Sequence, residues 1–597
     1  MDRVNDFAFK IATANGTGSA SANGLIMQAI FRMGVPVTGK NVFPSNIQGL
    51  PTWYEIRVNK DGYTARTPHF DLMVALNAAT YQKDVAEVRA GGYLLYDSTW
   101  PLDDRLHRPD VTYLGVPLAE MCNAAFKGVR ERILMKNIAY AGALAALLEM
   151  DADIIRQLLK DTFGRKPALM DSNQTAVDLG YDYAKKTFPC PLPMHLQRMD
   201  KTKDAILIDG NTAAALGCVY AGATVAAWYP ITPSTSLMDA FRGFCQKFRV
   251  TDQGKHKFAI IQAEDELAAI GMVIGASWAG ARAFTSTAGP GISLMNEFIG
   301  LAYYAEIPAV LFDVQRTGPS TGMPTRTQQG DLMECAYASH GDTRHICLYP
   351  ADPREAFEFA AKSFDLAERF QTPVFVLTDL DIGMNDWMIS KLTWDDSYRP
   401  DRGKVLSAEQ LEQAKSFYRY LDVDGDGIPY RTLPGTHPKG AYFTRGSGHN
   451  KFGGYTEDSD EYTELVDRLD RKIQGAAKAV PKPIIQAKPG HKLGLVTIGG
   501  CHAACVEAMD VLAREGIVVD YMRVRGFPFS DEVTAFLEAH DINFIVEQNR
   551  DAQLRSLLML ETGVPIEKLA SVRYYGGFPM SAHHVITGVK AKLEKAA

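Results

Sequence analysis

A chain of 597 residues is too long for one domain and predicts three or four. Its 46% hydrophobic and 22% charged residues are those of a globular protein with a sizeable core, which excludes a disordered or fibrous chain. Lys+Arg of 63 against Asp+Glu of 70 gives a net charge of −7, which removes the general electrostatic drive toward nucleic acid or an anionic membrane.

The first residues carry Asp2, Asp6 and Lys10 with no continuous apolar stretch, so no secretory signal is expected. The longest apolar run, Ile138 to Leu148, is too short to span a bilayer, and the expected location is the cytoplasm. A strand is expected around Phe7–Ala12, then a Gly/Ser loop and an apolar helix from about Leu25 to Met33. Strands near Leu72–Leu76 and Tyr93–Tyr96 continue an α/β domain over 1–195, which ends at Pro189, Pro191 and Pro193. A second domain, 196–390, alternates small-residue helices with strands at Ala205–Ile208, Thr224–Trp228, Phe258–Gln262, Ala283–Ser286, Ala309–Val314 and Pro373–Leu377. Short apolar strands separated by helices imply a parallel sheet covered on both faces. The polar, Gly-rich and aromatic stretch 391–485 reads as a connecting insert, and 486–597 as a last α/β unit. That unit has strands at Leu493–Ile498, Val518–Met522 and Phe544–Glu547 and a helix over Cys505–Glu515. The fold class is thus multidomain α/β.

Open parallel sheets bind ligands in the loops leaving the carboxyl ends of their strands. Four such loops in the second domain are rich in turn and hydroxyl residues: Tyr229 to Thr235, Ala263 to Glu266, Thr285 to Gly291, and Gln315 to Thr327. Each follows an expected strand, which places all four on one edge of one sheet. A single Pro/Gly/Ser loop is most simply a tight turn. Four together point to a site.

Tyr229-Pro-Ile-Thr-Pro-Ser234, Glu266 opening an Ala/Gly-rich helix, and Gly318-Pro-Ser-Thr-Gly-Met-Pro-Thr325 together resemble the α subunit of a 2-oxoacid:ferredoxin oxidoreductase. The likeness extends over nearly the whole chain. The first domain resembles the family's γ subunit, fused here in front of the pyrimidine-binding domain of a thiamine enzyme, and the last resembles a transketolase-type C-terminal domain. The fused order and the run Pro324-Thr-Arg-Thr327 lean toward the 2-oxoglutarate enzymes.

The resemblance gives Glu266 a task. Thiamine diphosphate becomes reactive when a carboxyl group hydrogen-bonded to its aminopyrimidine favours the imino tautomer that deprotonates the thiazolium carbon. On the residues alone, Glu264, Asp265 and Glu266 equally suit the positive end of a helix. The same loops imply cofactor contacts from Tyr229 and Pro230. Thr232, held between two prolines, is a candidate catalytic residue and a donor to a substrate carboxylate. Arg316 and Arg326 flank the loop carrying Ser320 and Thr321, and a guanidinium grips a carboxylate in two hydrogen bonds. Arg326 is the first choice. The Gly16-Thr-Gly18-Ser19 loop suits a diphosphate, and the γ-type resemblance points there to coenzyme A. Ser19 and Ala20 stand where family γ domains often carry a glycine pair.

The eight cysteines contain no Cys-x-x-Cys pair, so neither an iron–sulfur cluster nor a disulfide framework is expected in this chain. Cys501 and Cys505, one helical turn apart, read as buried thiols. Asp422-Val-Asp-Gly-Asp-Gly427 imitates a calcium loop, but Leu433 stands where its last acidic ligand belongs. With Asn450 downstream it also imitates a magnesium–diphosphate motif, without the flanking βαβ pattern. The resemblance therefore assigns thiamine diphosphate, magnesium and a [4Fe-4S] cluster mainly to a β subunit. It implies a CoA-dependent decarboxylation, reversible in principle, in an (αβ)2 assembly that passes electrons to ferredoxin. Pyruvate or a branched-chain oxoacid as substrate, a self-sufficient thiamine or nicotinamide enzyme, and a non-catalytic CoA-binding scaffold are the alternatives.

Overall fold

The computed structural model describes residues 2–45 and 49–596. They fall into two compact units, Met1–Ile208 with Asn385–Lys391, and Asp209–Met384 with Leu392–Ala597.

The first unit is built on a six-stranded sheet in the order Val37–Val42, Pro51–Asn59, Asp6–Ala14, Phe70–Ala75, Val88–Asp97, Val111–Val116. The last four strands are parallel, three of them lying where strands were expected and Val111–Val116 unforeseen, and the first two run antiparallel to their neighbours. That hairpin escaped the sequence reading. The helices Val129–Leu147 and Pro167–Thr187 cross at two glycines: a Cβ on Gly142 would lie 2.0 Å from the Val177 carbonyl, and one on Gly180 would lie 1.9 Å from that of Ala139. Only glycine permits that approach. Ala205–Ile208 does not open the second domain's sheet. It pairs antiparallel with Trp387–Ser390 as a half-buried ribbon of the first unit.

In the second unit a seven-stranded sheet runs Ala259–Gln262, Val225–Trp228, Ala283–Thr287, Ala309–Gln315, Pro373–Asp379, Ile346–Leu348, Gly526–Phe527, parallel throughout except for the last strand. Side chains alternate across it with the period of two that a pleated strand imposes. Phe284, Val310, Phe312, Val374 and Val376 enter one core, with Phe241 and Phe364. Ala283, Leu311, Phe375 and Leu377 enter the other, with Ile270, Ile292 and Met295. Both faces are covered, as expected. A five-stranded sheet, Ile484–Gln486, Asp520–Arg523, Leu493–Thr497, Ile542–Glu547, Leu569–Arg573, adds Val496, Met522 and Ile545 to the second of these cores.

The stretch expected as an insert contains the 18-residue helix Ser459–Ala476. Its buried face carries Arg468 and Lys472, both bound to the fully buried Glu306 at 2.6 and 2.8 Å. No described helix is long and apolar enough to cross a membrane.

Candidate active site

The four loops singled out in the sequence leave four adjacent parallel strands, so they share one sheet edge. Two of them meet at the start of the helix Gly289–Tyr304. Glu266 is the first residue of the helix Glu266–Trp278, whose N-terminus is capped by Asp265 accepting from the Ala268 N–H at 2.6 Å. This leaves the cap to Asp265 and turns Glu266 inward, 6% exposed, against Gly291. A Cβ on Gly291 would lie 2.9 Å from the Glu266 Cγ and 1.9 Å from the Thr287 Oγ1.

Arg316 follows the strand Ala309–Gln315 and is 9% exposed. Its Nη1 donates to the Thr232 carbonyl at 2.9 Å, while its Nε is buried without a partner. Burial lowers the pKa of its guanidinium, against the pull of Asp331 and Glu266. The Thr232 loop is anchored from below, because Asn211 Nδ2 donates at 2.8 Å to both the Pro233 carbonyl and the Ser236 Oγ. Thr232 itself is half-buried, and Tyr229 and Pro230 are exposed.

Arg316, Ser320 and Thr321 line a cleft of about 860 Å3, together with Gly289, Asp331 and Glu334. The loop above it is folded back on itself: Thr317 donates to the Arg326 carbonyl at 2.9 Å, and Met323 donates to that of Thr317 at 3.0 Å. Gly322, at φ +54, closes this turn where a Cβ would strike the Thr317 carbonyl at 1.9 Å. Arg326 is not part of the cleft wall. Its guanidinium lies 5.4 Å from the Phe578 ring centre and donates to the Thr325 carbonyl.

In the first unit, Gly16 and Gly18 take φ of +84 and +86, and the helix Ser19–Arg32 begins directly after them. Ser19 is buried and bonded to Thr13 at 2.9 Å. Beside this loop a cavity of about 250 Å3 is lined by Thr13, Thr17, Trp100, Arg132, Lys136 and Asn137. Asn137 fixes the loop by donating to the Thr17 carbonyl at 2.7 Å. The two cations and the exposed Trp100 were missed in the sequence, because they lie more than 80 residues from Thr13 and Thr17, which line the same cavity. Hydroxyls, two cations and a ring fit a phosphate-bearing cofactor.

The acidic loop is filled from within. Lys404 Nζ lies 2.7 Å from Asp424, 2.8 Å from Asp426 and 2.9 Å from the Ile428 carbonyl, so its ammonium stands where a cation would sit. Asp422 instead accepts from the Gly425 and Gly427 N–H groups, each at 2.9 Å. These residues do not fit a magnesium–diphosphate site. Cys501 and Cys505 are buried free thiols, and burial pushes that of Cys505 up to about 12.

Comparison with known proteins assigns the architecture. A family model described as pyruvate flavodoxin/ferredoxin oxidoreductase, thiamine diphosphate-binding, matches residues 216–403, and a pyruvate ferredoxin/flavodoxin oxidoreductase model matches residues 8–183. The α subunit of 2-oxoacid:ferredoxin oxidoreductase 2 from Aeropyrum pernix is 31% identical, over 99% of this chain and 98% of its own. The chain belongs to the 2-oxoacid:ferredoxin oxidoreductase α-subunit family. Within that family, the 2-oxoglutarate synthase subunit KorA of Methanocaldococcus jannaschii is 33% identical over 56% of this chain and 86% of its own. A solved 2-oxoglutarate:ferredoxin oxidoreductase from Magnetococcus marinus, with 2-oxoglutarate, coenzyme A and succinyl-CoA bound, superposes with a TM-score of 0.88. It is 26% identical and covers 99% of this chain and 100% of its own. Membership places this α subunit among oxidoreductases acting on 2-oxoacids, with a domain of the thiamine diphosphate-binding type over 216–403. Glu266 suits such a cofactor: it is a buried carboxyl backed by a glycine that leaves it room.

Proposed function

We propose that this chain supplies the pyrimidine-side acid and the oxoacid cleft for the CoA-dependent oxidative decarboxylation of 2-oxoglutarate to succinyl-CoA and CO2. The juxtaposition of Glu266 and Arg316 around the first turn of Gly289–Tyr304 carries the reading. A proton-relaying acid and a carboxylate-binding cation have to stand side by side for this chemistry. The ligands bound to the Magnetococcus marinus relative support 2-oxoglutarate as the substrate class and coenzyme A as the acyl acceptor.

Thiamine diphosphate, when bound, supplies the nucleophilic carbon that the reaction needs. Glu266 would hold its aminopyrimidine and move the proton there. Arg316, with the Thr232, Ser320 and Thr321 hydroxyls, would hold the substrate carboxylates, while Tyr229 and Pro230 shape the entrance and Arg326 supports the loop. Gly16, Gly18 and Ser19, with Arg132 and Lys136, would receive the phosphates of coenzyme A. A β subunit holding the diphosphate, magnesium and a [4Fe-4S] cluster completes an (αβ)2 enzyme that passes electrons to ferredoxin in the cytoplasm. The domain reading 1–195, 196–390, 391–485 and 486–597 follows the same scheme, with Ala205–Ile208 and Asn385–Lys391 counted to the first unit.

The test is Glu266→Gln in the complex co-expressed with its β partner. The amide keeps the shape but cannot relay the proton, so viologen reduction with 2-oxoglutarate and coenzyme A should be abolished while thiamine diphosphate remains bound. Wild-type rates in that variant would remove the central assignment.

A further inference from the structure

Arg316 reaches the cleft with little to hold it. Among the described residues its guanidinium makes no ion pair and one hydrogen bond, from Nη1 to the Thr232 carbonyl at 2.9 Å, and its Nε is buried without a partner. An arginine side chain is long and rich in rotamers, so this single backbone oxygen sets the direction of the fork. The oxygen belongs to the loop from Tyr229 to Thr235, and what fixes it there lies beneath.

Asn211 is the second residue of the helix Gly210–Tyr220 and is 1% exposed. Its Nδ2 carries two hydrogens, and both are used: one goes to the Pro233 carbonyl and one to the Ser236 Oγ, each at 2.8 Å. Pro233 directly follows Thr232. The other end of the amide is wedged, since a Cβ on Gly383 would lie 2.8 Å from the Asn211 Oδ1 and 2.9 Å from the Val314 Cγ1. Gly383 thereby lets the amide pack beside the strand Ala309–Gln315, which ends one residue before Arg316. Loop and strand are thus referenced to one buried side chain. Capping does not explain it, because Asp209 already caps this helix by accepting from the Thr212 N–H at 2.8 Å. Nor is Asn211 part of the cleft wall.

We propose that Asn211 is a positioning residue for oxoacid capture: by fixing the loop that presents the Thr232 carbonyl, it aims the Arg316 guanidinium into the cleft. This rests on the reading that the Arg316 cleft takes the oxoacid. Its effect passes through Arg316 and falls on substrate binding.

The test uses the αβ complex, with kcat and the KM values for 2-oxoglutarate and coenzyme A measured separately. Asn211→Ala should raise KM for the oxoacid by about tenfold, the scale of a small misplacement of a binding group, and leave that for coenzyme A unchanged. A merely structural role would lower the active fraction, and hence kcat, without moving KM. Ser236→Ala spares the Pro233 bond and should keep the wild-type KM. In an Arg316→Lys background Asn211→Ala should add little, because two changes along one path are not additive. An unchanged oxoacid KM in Asn211→Ala, or effects that multiply in the double variant, overturns the inference. Asn211→Asp fills the same space but cannot donate to the Pro233 carbonyl, so it should raise KM likewise and decides the matter if Asn211→Ala does not assemble. If neither assembles, Asn211 is a folding residue and the inference falls. Arg316→Lys alone separates the two readings: an unchanged KM there sinks the cleft assignment itself, whereas a raised KM there with a normal KM in Asn211→Ala sinks only the role of Asn211.

Discussion

Gly291 and Glu266 are in direct contact, with only 2.9 Å between the Glu266 Cγ and the position a Cβ on Gly291 would take. The carboxyl is therefore aimed by an absent side chain on a neighbouring helix. Gly291→Ala should lower turnover of the αβ complex by at least about tenfold, because misplacing a catalytic group by under an ångström is enough to lose that much. Adding Thr287→Ala removes the 1.9 Å clash but not the one with Glu266. The double variant should regain stability and not activity, and recovery of both would mean that Thr287 alone carries the constraint.

Arg316 lines the cleft and Arg326 does not. Exchanging the fork of Arg316 for a lysine should raise KM for the oxoacid with a loss of about 1–3 kcal/mol in binding, the scale of a charge-assisted hydrogen bond. Arg326→Lys should change it less, since that guanidinium already lies over Phe578. Steady-state kinetics with oxoacid and coenzyme A varied separately would check this, and a larger effect at Arg326 would exchange the two roles.

A third expectation concerns stability. Burial alone would raise the pKa of the Glu306 carboxyl, but Arg468 and Lys472 against it hold it far below the usual range. Glu306→Gln leaves both cations buried without their counter-charge, which should cost about 3–5 kcal/mol. Denaturant unfolding of the purified chain would show it. A loss below about 1 kcal/mol would mean that water reaches the cluster.

The acid side of the stability profile should report His345. Burial lowers its pKa from 6.5 to about 4, although its Nε2 is bonded to the Ala338 carbonyl at 2.9 Å. Below pH 6.5 the unfolded chain gains a proton that the folded chain refuses until about pH 4. Stability is therefore lost as pH falls through that window, by about 2 kcal/mol at pH 5. His345→Gln should remove that part of the slope, and an unchanged slope would assign it to other groups.

What could be read from the sequence follows from how each element is stabilised. The strands of the second unit are apolar runs buried on both faces, and their hydroxyl-rich loops stood out against them. Val37–Val42 and Pro51–Asn59 were missed because their charges are internal to the sheet: Lys40 and Glu55 are both buried, and Glu55 is paired with Lys10 at 3.3 Å and Arg66 at 2.7 Å. Hydropathy reads such strands as loops. Ala205–Ile208 misled in the opposite way, since four apolar residues fit a central strand as well as a two-stranded ribbon. Arg132 and Lys136 gave no signal.

The ammonium of Lys404 in the acidic loop has a consequence for the medium in which the protein folds. A tethered charge sits at an effective concentration fixed by its short stem, independent of the ions in solution, and it cannot be washed away. The turn from Asp422 to Gly427 is thus closed without drawing on the divalent ions of its surroundings, and chelators should leave it intact. The chain carries its own counter-ion, so this segment can organise before any metal-bearing partner arrives.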